Sequence, residues 1–425
     1  MATGIPDSNG TKRNGTLPYE LSYPGKRAPA DILATTPASL SRALAVEGQS
    51  PASRLILGDN LPVMASLLHD ADVRGRVRLV YIDPPFGTNS RFESRRQDHA
   101  YSDYLVGASY LEFVRQRLIM IRELLADDGS AYVHVDDNMA FPVKILMDEV
   151  FGPRNFRNWI TRKKSNPKNY TRRTYGNVAD YILFYTKTET YVWNQQFYEI
   201  SARAVDREYR HVEANTGRRY MKVPVHAPGV RRGETGKLWR GVPPPPGKHW
   251  QYPPATLDAL DARGEIVWSD NGNPRRKVYL DTRPGVPLQD IWLDYRDAHN
   301  QNIAITGYPT EKNLDLLRLI VSASSGPGDL VLDCFCGSGT TVVAAEELGR
   351  NWIAVDNAGL AIATTLRRLV EGSDRMGDYV ANGRAEQARL GLGRGGVLQH
   401  AVELLVADSV EADDLDRFLS SVAGR

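Results

Sequence analysis

The sequence predicts an α/β protein, a mostly parallel sheet interrupted by a large inserted domain. Three observations carry this. Strand and helix patterns alternate over residues 54–153 and again over 306–372. "VRLVYI" (residues 77–82) is apolar throughout rather than alternating, as in a strand buried on both faces. Between the two alternating stretches, residues 154–305 turn basic, Pro-rich and aromatic, and "GVPPPPGKHWQYPP" suits neither regular helix nor central strand.

The elements follow in order. Residues 1–50 are rich in Gly, Pro, Ser, Thr and Ala, which reads as a flexible arm with one short helix near 37–46. A short strand at 54–57, a Gly-Asp-Asn turn and a helix at 61–68 open the regular part. "SYLEFVRQRLIMIRELLADDG" repeats apolar residues at helical spacing (Leu111, Val114, Leu118, Ile121, Leu125) and stops at Gly129. "SAYVHVDD" is the next strand, and "MAFPVKILMDEVFG" a helix that tolerates Pro142 in its first turn. Within the interruption, 179–187 and 275–280 read as strands. The α/β pattern returns with a helix in "TEKNLDLLRLIVSASS", a strand at 329–333, a glycine-rich turn, a helix ending at Gly349, a strand ending at Asp356 and a further helix. Residues 373–425 read as an extension with a helix over 397–407.

A chain of 425 residues can bury a full core. It has no apolar run of membrane-spanning length, and its first residues lack the apolar core of a secretory leader, so no membrane association is expected. Cys334 and Cys336 are too close for an easy disulfide and lack partners at zinc spacing. They read as small turn residues in a reducing cytoplasm, with no metal expected. The net charge of +2 conceals an asymmetry: residues 151–250 carry +13 and the rest −11. The run from Arg154 to Arg173 contains no acid and interleaves Phe156, Trp159 and Tyr170 with its cations, which suits a polyanion with stackable bases.

Two turns carry chemistry. In "DCFCGSGTT", glycines between a strand and a helix let a ligand approach the backbone, and Asp356 follows at the spacing from which a carboxylate reaches ribose hydroxyls. The third glycine of the dinucleotide motif and the lysine of a phosphate loop are both missing. In "YIDPPF", Pro84 and Pro85 cannot donate backbone hydrogen bonds, Asp83 adds an acceptor, and Phe86 supplies an apolar ring. Acceptors without donors suit an exocyclic amine on a stacked aromatic base. Read singly, either turn could be purely structural.

Together, "YIDPPFGTN" and "DCFCGSGTT" resemble the catalytic and cofactor motifs of S-adenosylmethionine-dependent amino-group DNA methyltransferases. Their order, with the insertion between them, resembles the β class, as in modification subunits of type III restriction systems and solitary adenine methyltransferases. "GYPTEK", "LILGDNLPVMASLL", "DDGSAYVHVDDN" and "DEVFGPRNF" also resemble family signatures, over roughly residues 54–186 and 306–370. The resemblance implies a Rossmann-like methyltransferase sheet in two parts, 51–153 and 306–372, around a target-recognition insertion at 154–305. It implies that Asp83, Pro84, Pro85 and Phe86 hold the target amine. Phe335, Cys336, Gly337, Ser338, Gly339 and Thr340 would shape the S-adenosylmethionine pocket, with Asp333 near the methionine end and Asp356 on the ribose. Asp59 is either a cofactor contact near the adenine or a helix N-cap. Thr310 and Lys312 belong to a cofactor-side motif, with a solvated helix position as the alternative for Lys312. Arg154, Arg157, Arg162, Lys163, Lys164, Lys168, Arg172 and Arg173 form the expected phosphate grip. The implied reaction is methylation of N6 of a flipped adenine in double-stranded DNA, with N4 of cytosine as the alternative amine and a non-catalytic DNA-binding subunit as the alternative class. A homodimer, a restriction-subunit partner and a prokaryotic, nucleoid-associated setting follow from the resemblance alone. Its lesser length than many type III modification subunits counts against the restriction partner.

Overall fold

A computed structural model describes residues 19–46, 49–85, 91–93, 99–102, 107–167, 173–269, 272–297, 308, 311–372 and 397–411. It contains two compact units, one formed by residues 1–194 with 289–425 and the other by Gln195–Leu288.

The larger unit is built on a ten-stranded sheet. Its strands, in chain order, are β1 (Leu40–Val46), β2 (Gln49–Leu57), β3 (Val77–Ile82), β4 (Leu125–Val135), β5 (Phe156–Lys163), β6 (Ala179–Thr186), β7 (Ile291–Trp292), β8 (Leu330–Asp333), β9 (Asn351–Asp356) and β10 (His400–Ala407). Across the sheet they run β1-β10-β2-β9-β8-β3-β4-β6-β5-β7. From β10 to β4 all six strands are parallel, whereas β1 and β6 run against their neighbours. Parallel pairing needs crossovers, and helices α2 (Asn60–Leu67), α3 (Gly107–Leu124), α4 (Ala140–Phe151), α5 (Leu314–Ser324), α6 (Thr340–Glu347) and α7 (Gly359–Glu371) supply them. The fold is the expected doubly covered α/β sheet. The central strands β3 and β8 pair with each other although some 250 residues separate them in sequence.

Three expectations change. Residues 19–46, expected to be part of a flexible arm, are docked: Tyr23 donates to Glu112 at 2.8 Å, Lys26 lies 2.9 Å from Glu149, and Ile32, in the short helix α1 (Pro29–Leu33), is fully buried. Residues 40–46, within the expected helix, form β1, an edge strand whose ladder on β10 outweighs helical propensity. Residues 400–407, expected as a helix, form β10, inserted between β1 and β2. Val402, Leu404 and Val406 are buried and alternate with more exposed residues, a period of two that decides for strand.

The interruption is also smaller than 154–305. β5, β6 and β7 fall inside that range yet extend the main sheet: "ADYILFYT" pairs with β4 and "FRNWITRK" pairs with "ADYILFYT". The second unit, Gln195–Leu288, has its own four-stranded antiparallel sheet, of residues 211–212, 219–224, 274–279 and 266–268. Its core packs Trp239, Trp250, Leu257 and Leu260.

Candidate active site

Open α/β sheets bind ligands at the carboxyl ends of their parallel strands. Here five neighbouring strands, β2, β9, β8, β3 and β4, each end in or lead directly to an aspartate. In sheet order these are Asp59, Asp356, Asp333, Asp83 and Asp136.

Asp83 follows β3 and begins the Asp-Pro-Pro turn. Its Oδ2 lies 2.5 Å from Lys312 Nζ, in the segment leading into α5. Its Oδ1 is buried and accepts no hydrogen bond among the described residues. A buried acceptor left unpaired costs about 1–3 kcal/mol, so this oxygen is set to receive a donor from a ligand. Lys312 is itself buried, so the solvated-helix alternative is excluded.

The glycine-rich turn follows β8. Gly337 and Gly339 have φ of +50° and +73°, values that side chains disfavour. At Gly339 a Cβ would also come within 2.6 Å of Thr365. Asp356 Oδ2 accepts from Gly337 N at 2.9 Å and Oδ1 from Ala358 N at 2.9 Å, which ties the end of β9 to the turn. Burial pushes the Asp356 carboxyl above the usual carboxylate range. Asp333 is more deeply buried. Desolvation, reinforced by the negative charges of Asp83 and Asp356, pushes it up to about 7. Around the turn, Arg368 bonds Thr340 Oγ1 at 3.0 Å and Glu311 at 3.1 Å, and the Tyr308 ring lies beside the Gly337 Cα.

Asp59 caps α2 by accepting from Leu61 N at 2.9 Å, so the N-cap role is realised. The same oxygen accepts from Arg117 Nη2 at 3.0 Å. Arg117, on α3, was not singled out in the sequence. Its Nε donates to Asn60 at 2.7 Å, Asn60 donates to the Cys334 carbonyl at 2.6 Å, and its guanidinium lies 3.6 Å over the Phe113 ring, which meets Phe335. The only sequence signal was a cation on the apolar side of a strongly amphipathic helix. Cys334 and Cys336 are free, and burial raises both thiols.

Buried acceptors meet glycine backbone at adjoining strand ends, where the sequence motifs also converge. The family model described as DNA methylase, covering N6 and N4 methyltransferases, matches residues 77–359. The chain belongs to this amino-group DNA methylase family.

Type II methyltransferase M.EcaI of Enterobacter cloacae is 48% identical over 325 residues, 76% of this chain and 72% of that protein. The Mod subunit of the type III enzyme StyLTI of Salmonella typhimurium is 26% identical over 71% of this chain but only 51% of its own length. Among solved structures, the M1.HpyAVI–SAM complex aligns with 74% of this chain at 16% identity and a TM-score of 0.40. Family membership makes the chemistry methyl transfer to DNA, with S-adenosylmethionine as the methyl donor. The residues present fit that donor: a left-handed glycine turn and three buried or half-buried carboxylates line one strand edge.

Asp83, Pro84 and Pro85 and the residues from Asp333 to Thr340 thus share one strand edge with Asp356, Asp59 and Lys312. Phe86, Thr310, Lys168 and Arg172 lie outside the described residues. The expected phosphate grip is divided. β5 runs parallel to β3, so Arg154 and Arg157 sit at the amino end of the sheet, about 20 Å from the carboxyl edge. Arg157 is engaged there by Thr186, Thr188 and the Tyr191 ring. Arg162 is 1% exposed and bonded to Asp180 and Asp297, so it cannot reach a phosphate. Lys163, Lys164 and the exposed Arg173 remain at the carboxyl edge. Among the described residues no group of His, Cys, Asp and Glu could hold a metal, and no helix is long and apolar enough to cross a membrane.

Proposed function

We propose that this chain methylates N6 of adenine in double-stranded DNA, with Asp83, Pro84, Pro85 and Phe86 gripping the extruded base. The observation that carries the reading is the Asp83 carboxylate, with one oxygen on Lys312 and the other buried without a donor. An exocyclic amine brings the donors that such a site lacks. Bound S-adenosylmethionine supplies an electrophilic methyl group on a positively charged sulfur.

The adenine amine is a poor nucleophile because its lone pair is delocalised into the ring. Asp83 Oδ1 accepts one N–H and the Pro84 carbonyl the other, which draws the pair back onto nitrogen. When the nitrogen gains its methyl group, one hydrogen must leave as a proton, and Asp83 Oδ1 is the acceptor already in place. Extrusion of the base costs a few kcal/mol, and stacking on Phe86 returns about 1–3 kcal/mol. Gly337, Gly339 and Asp356 would hold the donor, with Asp333 near its methionine end.

Target recognition falls to the second unit. Support comes from its 16 Lys and Arg against 10 Asp and Glu, and from cations paired with aromatic rings on its sheet. Tyr220 stands opposite Tyr279 and Lys222 opposite Lys277 on neighbouring strands. Glu213 neutralises Lys277 at 2.7 Å, and Lys222 opposite is the cation offered to a phosphate. Lys163, Lys164 and Arg173 grip the DNA backbone at the carboxyl edge of the main sheet. A restriction subunit is a further partner that its similarity to type III Mod subunits suggests.

The test is incubation with duplex DNA and methyl-labelled S-adenosylmethionine, digestion to nucleosides and chromatography. Label in N6-methyladenosine is expected. Label in N4-methylcytidine would overturn the base assignment, and no label in DNA would overturn the activity.

A further inference from the structure

A row of buried polar side chains runs sideways from the strand that carries Asp83. Tyr81 Oη lies 2.7 Å from His134 Nδ1, and His134 Nε2 lies 2.9 Å from Asp180 Oδ2. Arg162 grips both oxygens of Asp180, through Nε at 2.8 Å and Nη2 at 2.5 Å. It also reaches Asp297 at 2.8 Å and the Tyr295 carbonyl at 3.0 Å. Tyr81, His134, Asp180 and Arg162 sit on β3, β4, β6 and β5, four successive neighbours in the sheet. None is more than 3% exposed.

Cohesion does not require this row. Apolar side chains of equal volume commonly hold a sheet together as well as buried ions do, without the desolvation penalty. Its position is informative. Tyr81 precedes Asp83 by two residues, so in extended chain both side chains leave the same face of β3. At the other end, Arg162 joins three stretches at the carboxyl edge: the end of β5, the start of β6, and residues 295–297. The first two border the loop that carries Arg173. A bidentate, charge-assisted pair is the least yielding contact available for this purpose.

We propose that Arg162, Asp180 and His134 are positioning residues. Through the Tyr81 hydroxyl they hold the end of β3 at the setting in which the Asp83 carboxylate meets the target amine. The proposal rests on the reading of Asp83 as the residue that grips that amine.

Tyr81→Phe tests it with the loss of one oxygen. Methyl-transfer kcat is expected to fall at least tenfold, with KM for DNA and for S-adenosylmethionine within twofold and the melting temperature within a few degrees. The paired change Arg162→Met with Asp180→Leu replaces ions by apolar bulk. Retained stability with lost kcat supports positioning, and retained stability with full kcat overturns it. If that pair does not fold, Tyr81→Phe decides alone, and wild-type kcat there overturns the proposal. Asp83→Ala in the same assay separates the two readings. Full activity of Asp83→Ala removes both, whereas an inactive Asp83→Ala beside a fully active Tyr81→Phe removes only the positioning role.

Discussion

Lys312 Nζ lies 2.5 Å from Asp83 Oδ2, joining the residue that opens the Asp-Pro-Pro turn to one 229 positions later in the chain. The pair orients the carboxylate, so that its other oxygen is presented without a partner. It also joins the Asp-Pro-Pro turn to the segment that precedes α5.

Lys312→Gln keeps a donor of shorter reach and removes the charge. A hydrogen bond to a charged group is worth about 1.5–3 kcal/mol, so single-turnover methyl transfer is expected to slow about 10- to 100-fold. Calorimetry of S-adenosylmethionine on the same variant separates the roles. A loss confined to cofactor affinity would show that Lys312 serves only the donor.

Asp333 titrates near 7 because burial and two neighbouring carboxylates disfavour its charge. The folded chain therefore keeps a proton that the unfolded chain has lost above about pH 4. This contribution to stability is full below pH 4, declines as pH rises and is gone above about 7. Asp333→Asn is expected to raise the melting temperature at pH 8 and leave it nearly unchanged at pH 4, as read by thermal scans at both values.

A cation beside Asp333 favours its ionised form. S-adenosylmethionine affinity is thus expected to rise with pH up to about 7, by at most tenfold per unit, with proton release on binding. Calorimetry in buffers of different ionisation enthalpy measures that release, and Asp333→Asn abolishes it. An unchanged release in the variant would assign the proton to another group.

Gly339→Ala places a methyl group 2.6 Å from Thr365 at a φ of +73°. Both strain terms act together, and a loss of roughly 1–3 kcal/mol in folding stability is expected, with weakened cofactor binding. Chemical denaturation measures the first. Adding Thr365→Ala is expected to recover part of it, because the contact is relieved while the backbone strain stays.

Lys163→Ala with Lys164→Ala removes two cations at the carboxyl edge. The slope of log affinity for DNA against log salt is expected to become shallower by about 2, with catalysis on saturating DNA little changed. Fluorescence anisotropy over a salt series checks it. Arg154→Ala, at the opposite end of β5, is expected to leave the slope unaltered.

The two motifs are legible in the sequence because each acts through its nearest neighbours. The donor-free Asp-Pro-Pro turn, the paired glycines and the apolar run of β3 depend on chemistry carried by a few consecutive residues. Where expectations failed, long-range pairing had decided. "LSRALAV" suits a helix in isolation but lies along β10, and "HAVELLVA" completes the sheet from a stretch expected to be an extension. Within the acid-free run from Arg154 to Arg173, charge alone cannot tell a cation that faces solvent from Arg162, which faces Asp180.

The sequence by itself determined the α/β class, both motifs and the basic excess between them, since composition and short-range spacing encode all three. Only the tertiary structure decided that β3 and β8 lie side by side, that Lys312 meets Asp83, and that Arg162 is an internal anchor. The physical reason is that strand pairing brings distant segments together to bury their shared apolar faces. Which polar groups then meet, and which are shielded from solvent, depends on that pairing and not on distance along the chain.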